Sequence, residues 1–180
     1  MERWDVEISA SRDDRDETEV IGKVAVYVVR YAEGWIAGVD VVAVLDSETD
    51  DVGQMAEVIF SPEEYALSET AQGFLGGPDE GSALLIHEMV LTPAYRGHGL
   101  GPILLGLVIR KLGCGCGFAA LVPGTLEGQP SETESQQARL ALARTWGKLG
   151  FENVECNVMM LNLTTTTFEE RLESLLRTMS

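Results

Sequence analysis

The stretch LLIHEMVLTPAYRGHGLGPILLGLVIRKLG, residues 84–113, decides the fold of this chain. It opens with an apolar run rich in large side chains, which predicts a buried strand over residues 84–91. A glycine-rich turn follows over residues 96–101. Beyond the turn, apolar residues recur with helical spacing and are predicted to share one side of a helix: Ile103, Leu104, Leu107, Val108 and Leu112. A strand, a glycine-rich loop and a helix in this order form a place where backbone N–H groups converge on an anion.

The glycines of the turn allow positive φ angles and the close approach of a ligand, which a Cβ atom would obstruct. Pro102 suits the first helical turn, where a missing N–H is tolerated. No Lys-Ser or Lys-Thr pair follows the last glycine, which argues against a Walker-type nucleotide loop. Pro102 also stands where the dinucleotide-binding fingerprint needs its third glycine. The turn therefore matches neither of these nucleotide-binding loops.

Two motifs carry a resemblance to a known family. Arg96-Gly97-His98-Gly99-Leu100-Gly101 has the pattern Arg-x-x-Gly-x-Gly after a strand that ends in Val-Leu-Thr-Pro, and it resembles the acyl-CoA-binding motif of the GNAT superfamily of N-acetyltransferases. Trp146-Gly147-Lys148-Leu149-Gly150-Phe151 resembles that family's helix-to-strand signature, usually written Tyr-x-Lys-x-Gly-Phe. The resemblance implies an α/β (α+β) fold with a mixed, mostly antiparallel twisted sheet, flanking helices and a splayed central strand pair.

Composition and charge set further limits. A length of 180 residues suits a single domain over residues 1–180. A net charge of −16 argues against nucleic acid as a partner, because that binding relies on Lys and Arg neutralising phosphates. Neither end has the pattern of a targeting segment, and no apolar run is long enough to span a membrane, so we predict neither kind of segment. Three cysteines do not make a disulfide framework, so we predict a cytoplasmic protein.

Acidic residues are concentrated in the first half of the chain. Between Arg30 and Arg96 there is no Lys or Arg, whereas Asp and Glu recur throughout. One interpretation is a solvated acidic face. The other is an acidic wall that attracts a cationic acceptor such as an amine.

The remaining pattern predicts strands and helices on both sides of the central stretch. Strands are predicted over residues 4–10, 20–31, 35–45, 118–122, 151–154 and 158–163, with a charged turn over residues 12–17 and turns over residues 123–130. Helices are predicted over residues 52–59, from Ser61 to about Gly73, from Ser131 to about Leu149, and over residues 168–179. Two helices would therefore follow the third strand, whereas GNAT domains usually place two helices between their first and second strands. The wall of the acceptor pocket would then be built from other parts.

The resemblance implies transfer of an acetyl group from acetyl-CoA to a primary amine, without a metal. The central strand would splay from its neighbour after Leu91 and hold the pantetheine arm through its backbone, and the loop would hold the pyrophosphate. The implied cofactor-binding residues are Met89, Val90, Leu91, Arg96, Gly97, His98, Gly99, Leu100 and Gly101. The acceptor would be a small-molecule or peptide amine, and we consider a homodimer as one candidate oligomeric state.

His87 and Glu88 are the candidate catalytic residues, because the acceptor amine must lose a proton to a base near the thioester. Side chains alternate along a strand, so only one of the two is predicted to point at the thioester. His87 titrates near neutral pH in its ordinary state, and the alternative is a hydrogen-bonded core histidine. Glu88 needs burial to raise its pKa, and the alternative is a cross-strand or solvent partner.

Three further groups of residues are candidates for roles at the site. Trp146 stands where the family often has a Tyr that protonates the leaving thiolate, and an indole N–H can donate a hydrogen bond but is no practical acid. This substitution motivates a second hypothesis, an acyl-CoA-binding sensor or partner module with little or no turnover. Arg139 and Arg144 could touch CoA phosphates or lie on a solvated helix face. The residue types that could bind zinc do not have the paired spacing of a zinc site, so no metal site is predicted. These residues are Cys114, Cys116, Cys156, His87 and His98.

Overall fold

The computed structural model describes residues 1–12, 15–77, 81–124 and 132–178. In these ranges the strands are β1 (Glu2–Arg12), β2 (Arg15–Val29), β3 (Phe60–Ser61), β4 (Ala66–Leu67), β5 (Ser82–Leu91), β6 (Cys116–Leu121), β7 (Glu152–Glu155) and β8 (Val158–Asn162). The helices are α1 (Tyr31–Ile36), α2 (Val41–Asp46), α3 (Asp50–Ile59), α4 (Glu69–Leu75), α5 (Leu100–Leu112), α6 (Glu132–Gly147) and α7 (Thr167–Arg177).

Six of the strands form one sheet in the order β1-β2-β5-β6-β8-β7, and β3 pairs with β4 in a separate hairpin. Every neighbouring pair in the large sheet is antiparallel except β5 and β6, which are parallel. The predicted fold class, a mixed and mostly antiparallel sheet flanked by helices, is confirmed.

Each face of the sheet is covered by its own helices. On one face Tyr27 and Leu85 pack with Leu45 and Met55 from α2 and α3. On the other face, the residues of β2 and β5 that alternate with Tyr27 and Leu85 pack against α5, α6 and α7. This second cluster includes Leu84, Val26, Leu105, Leu149 and Leu172. Alternation along β2 and β5 therefore supplies both cores. Two apolar layers fix the central strands in position.

The strand predicted over residues 35–45 is wrong, because this segment forms the end of α1 and most of α2. The carboxylate of Asp40 accepts a hydrogen bond from the amide of Ala43 at 3.0 Å and caps α2. Val41 and Leu45 lie one helical turn apart, and both are buried. A cap and a buried helical face outweigh the strand propensity of the valines, which tertiary context readily overrides.

The helix predicted to start at Ser61 is also wrong. Ser61 pairs with Ala66 in the short hairpin of β3 and β4. The helix begins after Ser68, whose hydroxyl accepts a hydrogen bond from the amide of Ala71 at 3.2 Å. It ends at Gly76, which has a φ of +82°. A second Ser-initiated cap, seven residues on, is therefore the one that the fold uses.

These corrections move the helical block. The helices α1 to α4 follow β2, the second strand of the sheet, and not a third strand. The block lies against the face of the sheet that carries Tyr27 and Leu85. The position of this helical block still differs from the usual GNAT arrangement, but the block follows the second strand and not the third strand as predicted.

The buried side of α5 is rotated from the predicted one. Leu105 and Ile109 are almost fully buried, whereas Leu104 and Leu107 are only half-buried. A Cβ atom on Gly106 would lie 2.6 Å from a methyl of Leu172. Ile103 and Val108 of the predicted side are also buried, so the observed side overlaps the predicted one, and the contact with α7 adds Gly106 to it.

Other predicted elements lie close to their expected positions, including β1, α3, the hairpin of β7 and β8, and α7. The predicted turn over residues 123–130 lies mostly outside the described residues, as do Ser131 and residues 13–14 of the charged turn. In the described ranges no helix has both the length and the apolar content to cross a bilayer.

Candidate functional site

The two parallel strands at the centre of the sheet part before β5 ends. Their pairing runs from Ser82 opposite Cys116 to Ile86 opposite Leu121, whereas β5 continues to Leu91. Beyond Ile86, no strand of the described residues pairs with this edge of β5. Its N–H and C=O groups there can pair with an extended ligand, as an exposed strand edge does. The splay therefore begins after Ile86 and not after Leu91 as predicted.

A β-bulge at His87 alters the order of side chains along β5. Across the pairing of β2 with β5, Val26 lies opposite Ile86 and Ala25 lies opposite Glu88. His87 is therefore an extra residue without a partner in that register. Because paired side chains of antiparallel strands point to the same face, Glu88 shares the face of Ala25.

The bulge brings His87 and Glu88 to the same face of the sheet. The ring centroid of His87 lies 6.3 Å from that of Tyr27. Tyr27 is two residues from Ala25 on β2 and so shares its face, which is also the face of Glu88. The predicted alternation, which placed His87 and Glu88 on opposite faces, is wrong, because the extra residue interrupts the two-residue period.

The glycine-rich loop leads into α5 with its amides open. Gly97 and Gly99 have φ angles of +78° and +75°, and α5 begins at Leu100 without a side-chain cap. The amides of Gly97, Gly99, Leu100 and Gly101 donate to no other described residue. Uncapped amides at the start of a helix form a site for an anion when a groove lies beside them.

Arg96 ties this loop to the end of β5. Its Nε donates to the carbonyl of Leu91 at 2.8 Å, and its backbone amide donates to the carbonyl of Pro93 at 3.2 Å. The backbone amide of Arg96, one of the residues predicted to bind the cofactor, is therefore used by the 3-10 turn at Pro93–Tyr95.

A groove of about 610 Å³ lies between the end of β5, the loop, α5 and the end of α6. Its described lining is Met89, Val90, Leu91, Tyr95, Arg96, Gly97, Gly99, Leu100, Gly101, Pro102, Gly124, Leu142, Thr145, Trp146 and Lys148. The lining includes every residue predicted to bind the cofactor except His98, which is exposed outside it. A volume of this size is within the range of sites that hold small molecules and cofactors, about 300–1,000 Å³.

A smaller pocket of about 220 Å³ adjoins the groove at the gap between β5 and β6. Its described lining is Asp51, Ile86, His87, Glu88, Met89, Leu105, Leu121, Val122, Gly124, Arg139, Leu142 and Trp146. Four residues line both spaces: Met89, Gly124, Leu142 and Trp146. We call the larger space the outer groove and the smaller one the inner pocket. Because the inner pocket includes residues from both core faces, the gap connects the α5 side of the sheet with the α3 side.

Charge is distributed unevenly between the two spaces. The described lining of the outer groove has Arg96 and Lys148 but no Asp or Glu. The inner pocket has two carboxylates, Asp51 and Glu88, together with Arg139. In a chain of net charge −16, a groove whose charged groups are cations favours an anion. The inner pocket offers groups that can attract and deprotonate a cation.

The two candidate catalytic residues have different surroundings. His87 is half-buried, and its Nδ1 lies 3.3 Å from the hydroxyl of Thr49 at the start of α3. Glu88 is half-buried and makes no ion pair or side-chain hydrogen bond with the described residues. Its cross-strand neighbour is Ala25, so the predicted alternative of a cross-strand partner is not observed. Both residues therefore line the inner pocket, one held in place and one with open acceptor groups.

Trp146 lies where the two spaces meet. It is 8% exposed, belongs to the core on the α5 side, and lines both the outer groove and the inner pocket. A Cβ atom on Gly101 would lie 3.7 Å from its ring, so the loop packs directly on the indole. Trp146 therefore packs in the core and also forms a wall of the site.

Several residues of the site were missed by sequence reasoning. Thr49 and Asp51 come from the start of α3, Thr145 and Leu142 from α6, and Gly124 from the segment after β6. A Thr before an amphipathic run is a helix-cap signal, and it could have identified Thr49 as the N-cap of α3. No local signal places it beside His87, because that contact joins residues 38 apart in sequence.

The described residues contain no group of three or more His, Cys, Asp or Glu side chains that could hold a metal ion. Cys114 and Cys156 are exposed free thiols, and Cys116 is a buried one. Arg139 lines the inner pocket, whereas Arg144 lines neither space.

Comparison of the chain with models of protein families, with curated proteins and with solved structures finds no match.

Proposed function

We propose that this protein is an acetyl-CoA-dependent N-acetyltransferase that acts on a primary amine. The observation that carries the proposal is the continuity of three features. Open amides at the start of α5 border the outer groove, the unpaired edge of β5 runs along it, and the inner pocket with His87 and Glu88 lies at its end. The resemblance of the loop and of residues 146–151 to GNAT motifs supports the same assignment.

The geometry suggests how the cosubstrate would lie. The pyrophosphate of CoA would accept hydrogen bonds from the amides of Gly97, Gly99 and Leu100, with Lys148 adding positive charge. The pantetheine amides would pair with the free edge of β5 as an added strand does. The thioester would then reach the gap beside Met89, where the outer groove meets the inner pocket.

The inner pocket supplies what the transfer requires. An aliphatic amine is protonated at neutral pH, so the carboxylates of Asp51 and Glu88 would attract it to the pocket. A base must remove its proton before the nitrogen attacks the thioester carbonyl. The C–N bond forms, the C–S bond breaks, and CoA leaves as a thiolate that takes up a proton. The acceptor would be a cationic small-molecule or peptide amine.

A panel of amines tests this proposal by the release of CoA thiol. We expect turnover with at least one class among polyamines, amino acids, peptides and aminoglycosides. Glu88→Gln should lower kcat about 100-fold or more, since general-base catalysis contributes about 10²–10⁴-fold. Glu57→Gln is the matched control, because Glu57 is an exposed residue of α3 outside both spaces. Equal rates in these two variants would contradict a role for Glu88.

A second candidate function is an acyl-CoA-binding sensor with little turnover. The observation in its favour is Trp146, which lies where the two spaces meet, while the described lining of the inner pocket includes no tyrosine. An indole cannot protonate the leaving thiolate. Calorimetry that detects CoA binding, together with silence across the amine panel, would support the sensor. Absence of CoA binding would contradict both functions.

A further inference from the structure

The connection between α2 and α3 is fastened to the sheet at two points. The hydroxyl of Tyr27 donates to the carboxylate of Glu48 at 3.0 Å, and the hydroxyl of Thr49 lies 3.3 Å from Nδ1 of His87. The ring of Tyr27 is inclined by 56° to that of His87. The imidazole is therefore held on one side by a hydroxyl and on another by an aromatic ring. Only Nε2 remains to contact a ligand.

The hydrogen-bond partners of Thr49 favour one direction for its bond with His87, whose ring nitrogens donate or accept according to the tautomer. The hydroxyl oxygen of Thr49 already accepts a hydrogen bond from the amide of Val52 at 3.4 Å, as the cap of α3. Its single proton has one acceptor among the described residues, which is Nδ1 of His87. A neutral imidazole that accepts at Nδ1 carries its proton on Nε2. In the other tautomer the hydroxyl would accept twice and its own proton would reach no described acceptor.

We propose that Thr49 is a positioning residue that holds neutral His87 with its proton on Nε2, so that His87 donates a hydrogen bond to the acyl carbonyl oxygen and Glu88 acts as the base. The bulge permits this division, because it places both side chains on one face. The identification of the acyl carbonyl oxygen as the acceptor of this hydrogen bond rests on the proposed acetyltransferase function. The assignment of the tautomer does not depend on that function.

The division of roles balances the reaction. The ammonium form of the amine gives up one proton to solvent, and the neutral nitrogen that remains attacks the thioester carbon while its second proton passes to the carboxylate of Glu88. Negative charge develops on the carbonyl oxygen, which accepts the hydrogen bond from Nε2 of His87. When the C–S bond breaks, the thiolate takes the proton from Glu88. The products are an amide and CoA thiol, and both side chains return to their starting state.

Nitrogen NMR of the 15N-histidine-labelled protein tests the tautomer directly. The chain has two histidines, and the exposed ring of His98 serves as an internal reference whose tautomers are averaged by water. We expect His87, at a pH where it is neutral, to show a protonated Nε2 and an unprotonated Nδ1. A protonated Nδ1 in the neutral wild-type ring would overturn the proposal. This measurement needs no substrate, so its result is independent of whether the protein transfers an acetyl group.

Variants separate positioning from helix capping. Thr49→Ser keeps the hydroxyl and should keep the tautomer, whereas Thr49→Ala should leave His87 in exchange between tautomers. Ser68→Ala is the matched control, because it removes the hydroxyl cap of α4 and should leave the His87 signals unchanged. A Thr49→Ala protein with wild-type His87 signals would show that Thr49 does not position the ring.

Rates test the role of the proton on Nε2. His87→Ala should lower kcat about 100-fold, as loss of one oxyanion donor does, and His87→Gln, which retains an N–H donor, should recover about tenfold of it. Equal losses in the two variants, with the tautomer as expected, would contradict donation to the carbonyl and leave the acetyltransferase assignment standing.

Discussion

Replacement of Gly99 by alanine tests the loop on which the proposed function depends. Gly99 precedes α5 with a φ of +75°, and a Cβ atom there would meet no atom within 4 Å. The cost to the free protein is therefore that of a left-handed backbone alone, about 1–2 kcal/mol. For a domain of this length each kcal/mol lowers Tm by about 2–4 °C. We expect Gly99→Ala to lower Tm by about 2–8 °C.

Gly38→Ala is the matched control. Gly38 has a φ of +71°, its Cβ position is equally open, and it lies between α1 and α2 outside both spaces of the site. Its loss of stability should equal that of Gly99→Ala. A difference in CoA affinity between the two variants then reports on contacts of the ligand with the loop at Gly99.

CoA affinity should distinguish them. A methyl group on Gly99 would occupy the space beside the amides of Gly99 and Leu100, so a diphosphate would lose contact with one of them. A hydrogen bond to a charged group contributes about 1.5–3 kcal/mol. Calorimetry should therefore show a Kd for CoA about 10- to 150-fold weaker in Gly99→Ala, and a wild-type Kd in Gly38→Ala.

Two results would refute this reasoning. If Gly99→Ala loses stability like Gly38→Ala but binds CoA as tightly as the wild type, the amides before α5 do not hold the diphosphate. If Gly38→Ala loses stability and Gly99→Ala does not, the loop does not have the left-handed conformation at Gly99 from which the argument starts.

Three predictions concern stability. Gly106→Ala places a Cβ atom 2.6 Å from a methyl of Leu172 and 2.9 Å from a methyl of Leu149, so it should cost about 1–3 kcal/mol in urea unfolding. Leu172→Ala in the same chain should couple with it by restoring part of that space. Thr92 has a buried hydroxyl that makes no hydrogen bond with the described residues, so Thr92→Val should keep or raise Tm, and a fall of several degrees would show that the hydroxyl has a partner. Burial, and then the hydrogen bond from its hydroxyl to Glu48, raise the pKa of Tyr27. The folded state therefore holds this proton more tightly than the unfolded chain does. Protonated Tyr27 contributes to the stability of the fold below about pH 10, and this contribution should be lost as the pH rises above that value. Tyr27→Phe should flatten that alkaline slope, and an unchanged slope would assign it to other groups.

Much of the fold could be predicted because its signals are local. The run from Leu84 to Leu91, the glycines after Arg96 and the helical spacing beyond them specify a strand, a loop and a helix within 30 residues of chain. The part of the outer groove that residues 89–102 line follows from the same stretch, since a loop of fixed conformation carries its own amides with it, whereas the α6 side of the groove does not.

Other parts could not be read from spacing. Residues 35–45 have the composition of a strand, yet Asp40 caps a helix there because Val41 and Leu45 find a core to cover. Propensity is a weak prior at such a segment, and the burial that decides it depends on residues far along the chain.

The sequence by itself determined a glycine-rich loop at the start of a helix, because glycine and the spacing of apolar residues act within a few residues of one another. Only the tertiary structure decided what lies at the end of the groove beside that loop. The bulge at His87 arises from the register of β2 against β5, and the hydroxyl of Thr49 reaches it through the packing of α3 on the sheet. Contacts between distant segments are settled by the cooperative packing of the whole core, so no local pattern encodes them.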